Sequence, residues 1–119
     1  FVAGSLEGWA YCRDNSSDCV DIVLANGSAL GASHQAWQMN EINGLIWPSP
    51  NGVGMMEADL WAQTVAVATS QPILTAAPDA GAYTTEYVEA ALVSLNGRGM
   101  DTVGTSWQRV EVTLNEGGE

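Results

Sequence analysis

Apolar residues along the chain recur mostly at three- and four-residue intervals, the pattern of helices that bury one side. In "FVAGSLEGWAYC", Val2, Leu6, Trp9 and Ala10 share a helical face. No Ser, Thr, Asp or Asn cap precedes them, so a chain cut from something longer is expected. This first helix should end near Arg13, a cation suited to a helix C-terminus. "DNSSD" supplies a turn, with Asn15 or Ser16 as the next cap and Asp18 at the positive helix end. The second helix runs through Val20, Val23 and Leu24 and stops at "ANGS", where Gly27 suits a left-handed position. A third, "SHQAWQMNEINGLIW", has Ser33 as cap and turns Met39, Ile42, Leu45 and Ile46 to a core; Pro48 and Pro50 end it. The fourth, "MMEADLWAQTVAVATS", carries Glu57 and Asp59 in its first turn, places Leu60, Trp61, Thr64, Val65 and Ala68 along one side, and closes at Pro72. The fifth, "TTEYVEAALVSLNG", has Thr84 as cap, a stripe of Val88, Ala91, Leu92 and Leu95, and Gly97 as its stop.

Only the tail changes period. "WQRVEVTL" alternates, with Val110, Val112 and Leu114 on one face, and reads as a short strand; "NEGGE" reads as a loose or cut end. The expected fold class is therefore mainly α with one or two short strands. A lone strand makes no sheet, so its partners are expected in another chain or in missing sequence. The length of 119 residues suits one segment or small domain.

Charge narrows the functions. Fourteen acids face three arginines, for a formal net charge of -11. Nucleic-acid binding needs clustered cations, and so does an anionic membrane surface, so neither partner is expected. The acids are scattered, which fits solubility. No stretch approaches the roughly 20 apolar residues of a membrane helix, so no membrane insertion is expected, and no signal peptide opens this chain.

The two cysteines, Cys12 and Cys19, would lie about 10 Å apart along one continuous helix, too far for a bridge. The turn between the first two helices folds them together, and a bridge there would staple the hairpin. The residues favour a disulfide over two reduced core thiols, and both over metal or redox chemistry, because the lone His34 lies far along the chain and no second Cys pair exists. His34 reads as a surface or capping residue, and Glu57 with Asp59 as partners of a helix dipole. "GTS" at 104–106 lacks the frame of a nucleophile elbow, and "NGVG" is too short for a phosphate loop. Trp9, Trp37 and Trp61 fit core packing, while Trp47 and Trp107 sit where a helix or strand meets a loop. No enzyme, metal or cofactor follows from these residues.

"GWAYCRDNSSDCVDIVL", "HQAWQMNEINGLIWPSPNGVGMMEADLWAQTVAVA" and "GAYTTEYVEAALVSLNGRGMDTVGTSW" resemble, in order and over essentially the whole chain, the C-terminal part of NMT1/THI5-like substrate-binding proteins of ABC importers. That family includes nitrate, sulfonate and taurine binders and binders of thiamine-pyrimidine precursors. The resemblance implies a fragment of the α/β type II periplasmic-binding fold, whose two lobes close on a ligand. Residues 1–119 would then be a single segment, mostly first-lobe helices, truncated at its N-terminus. For the full-length protein it also implies a periplasmic or extracellular location, an ABC permease as partner and a small polar or heteroaromatic ligand, which this segment alone would bind weakly or not at all. Export makes oxidation of Cys12 and Cys19 more favourable. No catalytic residue carries over, because the histidine and cysteine-rich iron motif of the related pyrimidine synthases has no match here. Trp37, Asn40 and Trp47 are the ligand-contact candidates, chosen for stacking and hydrogen bonding. The alternatives are a fragment of such a synthase and a stand-alone helical interaction domain. If the segment folds alone, pairing with a second copy is expected, since its apolar faces would otherwise stay exposed.

Overall fold

Five helices form where the three-to-four-residue periodicity places them. In the computed structural model, which describes residues 1–27, 29–115 and 117, they are α1 (Val2–Asp14), α2 (Ser16–Asn26), α3 (Ala32–Ile46), α4 (Ala58–Ser70) and α5 (Glu86–Gly97). The expected stop at "ANGS" includes Ser28, and the loose end at "NEGGE" includes Glu116, Gly118 and Glu119; these four lie outside the described residues. α1 packs against α5 and α2, and α2 packs against α3.

α5 buries the stripe its sequence pattern predicts, although Thr85 rather than Thr84 is its N-cap and Arg98, just after Gly97, its C-cap. Val88, Ala91, Leu92 and Leu95 are its buried residues, and Leu95 is completely enclosed. Its first free amide, on Glu86, donates to the Thr84 hydroxyl at 3.3 Å. Against this stripe pack Leu6 and Ala10 of α1, and Trp47 and Val53 from the loop after α3. Gly52 reaches its place in that loop with φ +99, and a Cβ there would lie 2.7 Å from the Leu92 side chain, so glycine serves both the turn and the contact. Beyond α5 the chain returns to the same loop: Ser49 N–H donates to Val103 O at 2.8 Å and Val53 N–H to Thr102 O at 2.9 Å.

The α1–α2 hairpin has Asn15 alone between its helices. Asn15 does not cap α2 with its side chain; its Nδ2 instead donates back to Tyr11 O at 3.1 Å, closing α1. Tyr11 donates its hydroxyl to Asp18 Oδ2 across the hairpin at 2.8 Å. Cys12 and Cys19 are joined at disulfide distance, with Cα atoms 5.6 Å apart. Gly27 ends α2 at φ -136 rather than in the left-handed region.

Four expectations are corrected. α3 turns its apolar stripe inward only in part: Ile46 packs against the core, but the buried residues are Asn40 and Asn43, while Leu45 is 86% exposed. The two asparagines win the inward face because each meets a polar group that needs a partner there. Ser33 does not cap α3, which Gly31 precedes as N-cap; the Ser33 hydroxyl instead accepts from Asn115 N–H at 3.0 Å. α4 begins at Ala58, later than its sequence pattern, and none of its residues is buried. Trp9, assigned to the core face of the first helix, is 39% exposed.

No strand occurs among the described residues, so the tail expectation is also overturned. Instead of a sheet edge, α3 side chains hold the tail backbone. Asn40 donates from Nδ2 to Val110 O at 2.9 Å and accepts from Val110 N–H at 3.0 Å, as a neighbouring strand would. Arg109 pairs with Glu41 at 2.6 Å beside it. Val110 and Leu114, alternating in sequence, are both exposed.

The molecule is open. Its accessible surface is 8027 Å², against roughly 6,200 Å² for a compact monomer of 12.5 kDa. Its radius of gyration is 17.1 Å, against about 13.5 Å for a compact chain of this length. α4 buries none of its residues and meets the following loop through a tilted Trp61–Tyr83 ring contact, 4.9 Å between centroids.

Two stability measurements follow. Leu95→Ala should cost about 3 kcal/mol in urea denaturation, as a fully enclosed leucine does, whereas Leu60→Ala on exposed α4 should cost less than about 0.5 kcal/mol; equal losses would contradict this division. Replacing both cysteines by alanine should remove about 2 kcal/mol, the entropy of closing a short loop, and the oxidised chain should take up no alkylating reagent when denatured without reductant.

Candidate functional site

Between α2, α3 and the tail lies a half-open cavity of about 520 Å³. Val20 and Leu24 of α2, Ala36 of α3, and Trp107, Val110 and Val112 of the tail form apolar walls. Arg13, Asn40 and Asn43 enter the lining as buried polar groups, and Asp21 and Gln108 stand at its exposed edge. The cavity exists because α3 turns asparagines inward and because Asn40 holds the tail alongside the helix.

Arg13 occupies the last buried position on the Leu6–Ala10 side of α1, with its side chain only 5% exposed. Asp14 receives it through two bonds, Nε to Oδ1 at 2.7 Å and Nη2 to Oδ2 at 2.8 Å. Its Nη1 donates to Asp101 O at 2.9 Å and lies 3.5 Å from Asp101 Oδ2. The guanidinium carbon stands 4.5 Å from the centroid of Trp47, a cation–π contact. The Asp14 hydrogen bonds raise the Arg13 pKa above its ordinary value and outweigh the opposing effect of burial. Three of its five N–H donors are thus given to Asp14 and Asp101, and its charge is paired with both carboxylates.

Asp101 is held below its ordinary value of 3.8, chiefly by the backbone N–H groups of Gly104 and Val103, which both donate to Oδ1 at 2.9 Å, with Arg13 adding a smaller attraction. Gly104 makes this turn at φ +68; a Cβ there would lie 2.5 Å from a Trp47 ring carbon and 2.9 Å from Arg13 Nη1.

Asn43 is 1% exposed. Its Oδ1 accepts from the Trp47 indole N–H at 3.1 Å, and its Nδ2 has no hydrogen-bond partner. The indole nitrogen only donates, so it must face the amide oxygen and the amide nitrogen is left over. No other buried side-chain nitrogen or oxygen among the described residues lacks a partner.

The three sequence candidates do not converge. Asn40 lines the cavity, but both ends of its amide are engaged by Val110. Trp47 lies in the core beneath Arg13, its N–H taken by Asn43. Trp37 sits on the surface beside His34, with ring centroids 5.8 Å apart, outside the cavity. Sequence reasoning missed Arg13 and Asn43. Their signals were faint: an arginine continuing an apolar stripe, and an asparagine one helical turn after Asn40 and one before Trp47.

Among the described residues no group of His, Cys, Asp and Glu is placed to hold a metal ion, and no helix is long and apolar enough to cross a membrane. Comparison with protein-family models, curated proteins and solved structures finds no match.

The Asp101 turn sets a pH dependence. A carboxyl lowered in the folded state contributes stability that is complete above its unfolded value and is lost as pH falls through the lowered folded value. Urea midpoints followed downward from pH 7 should therefore drop more steeply below about pH 4 for the wild type than for Asp101→Asn; parallel curves would contradict this role.

Proposed function

We propose that the chain is a binding module, a segment of an extracytoplasmic solute receptor that presents a small polar or heteroaromatic molecule to an ABC permease. The observation that carries the binding reading is the cavity between α2, α3 and the tail: apolar walls, a volume of about 520 Å³, and few buried polar groups converging on it. Small-molecule sites have this composition, with apolar lining for affinity and a few fixed polar atoms for orientation. The receptor reading rests on the resemblance of the three quoted segments to solute-binding proteins. The joined Cys12–Cys19 pair suits an oxidising, extracytoplasmic compartment. In this reading the chain binds and releases its ligand without chemical turnover.

Thermal denaturation with a hydroxymethylated aminopyrimidine, taurine and nitrate, each in turn, tests the reading. A ligand present at a hundred times its dissociation constant adds about 2.7 kcal/mol and raises the midpoint by several degrees. At least one compound should do so. Ala36→Trp, which fills the cavity from the α3 wall, should abolish the shift while leaving the helical spectrum intact. A shift that survives Ala36→Trp overturns the assignment, and so does the absence of binding by these three compounds together with uracil and 2-pyrrolidone.

A further inference from the structure

The cavity also discriminates between ligand classes, an inference that rests on its being the binding site. Its buried polar groups are spoken for in all but one atom. Arg13 gives Nε and Nη2 to Asp14 and Nη1 to Asp101. Asn40 gives both ends of its amide to Val110. Asn43, a residue of the lining, gives its oxygen to Trp47, and its Nδ2 remains buried and unpartnered. A buried N–H without an acceptor is costly, and the cost is removed when an acceptor arrives.

Anions are poorly served by the same site. The chain has three cationic side chains in all. Arg13 is paired with Asp14 and Asp101, Arg98 with Glu7 at 2.8 Å, and Arg109 with Glu41 at 2.6 Å. An anion entering the cavity would meet no uncommitted cation, would pass Asp21 at the edge, and would approach a chain of net charge -11. Desolvating a charge without a partner is prohibitive, whereas a neutral carbonyl needs only the one donor that is waiting.

We propose that the cavity takes a small neutral molecule bearing a carbonyl oxygen, which accepts from Asn43 Nδ2, and that it rejects sulfonates, nitrate and other anions. Asn43 is then the residue that sets specificity, and Trp47 the positioning residue that fixes which end of its amide faces the ligand.

The test uses the wild-type chain, so no variant has to fold. Uracil and 2-pyrrolidone serve as neutral carbonyl probes, toluene as a carbonyl-free control, and taurine and nitrate as anions. Calorimetry gives the affinities, and the side-chain amide of Asn43, assigned through its proximity to the Trp47 indole proton, is followed by nuclear magnetic resonance. At least one carbonyl probe should bind about tenfold or more tightly than toluene or either anion, and should move the Asn43 NH₂ resonances. Carbonyl probes that bind without moving those resonances overturn the inference and leave the binding module standing. Toluene or an anion bound as tightly does the same. If none of these probes and none of the three compounds used in the thermal test binds, the inference and the binding module both fall.

Discussion

The buried guanidinium of Arg13 is the constraint around which the rest is arranged. A cation removed from water must find countercharges and hydrogen-bond acceptors, or the fold bears several kcal/mol of lost solvation. Arg13 finds them in three places: the neighbouring carboxylate of Asp14, the carbonyl and carboxylate of Asp101, and the face of Trp47. These belong to the end of α1, the turn after α5 and the exit of α3, so satisfying one side chain ties together segments far apart in sequence. Gly104 is required beside it because Trp47 and Arg13 already fill the space a side chain would need. Trp47, pinned from above, passes its indole N–H to Asn43, and that bond draws an asparagine into the inward face of α3.

The chain consequently has two unlike halves. Around α1 and α5, aliphatic residues close on one another in a buried core. Around α2 and α3, the inward groups include two amides, the tail lies along α3 held by Asn40, and a cavity remains. The same openness appears in the total surface, about 30% above that of a compact monomer of equal mass. α4 extends this character: it is helical by local pattern, yet it buries none of its residues. Helices of this length are marginal in water unless packing supports them. The exposed faces and the cavity share a cause, namely apolar side chains left partly uncovered among the described residues.

How much was readable depended on whether a residue's partner was near in sequence. α5 was legible because its apolar stripe is also its buried face, so local and tertiary preferences coincide; only its caps shifted by one residue, to Thr85 and Arg98. The α1–α2 hairpin was legible because a turn of polar residues between two periodic segments leaves little choice, and that proximity makes the cysteine pairing readable too. α3 misled because Met39, Ile42 and Leu45 display a good stripe, while the residues that turn inward, Asn40 and Asn43, answer to Val110 and Trp47. The tail misled because alternation marks an extended chain with one covered face, whereas here the backbone is held by side chains rather than by a neighbouring strand. Of the candidate site, Asn40 was named for hydrogen bonding, but its partner is the chain itself.

The sequence by itself determined where helices begin and end to within a few residues, which pair of sulfurs could meet, and that the chain is strongly acidic. Those properties arise from spacing, caps and composition, all local or summed quantities. Only the tertiary structure decided which faces turn inward, that Arg13 would be buried and committed, and that one nitrogen of Asn43 would be left without an acceptor. Such outcomes depend on matching every polar group to a partner across the whole molecule. A linear pattern records which groups are present, and not which of them will be near enough to satisfy one another.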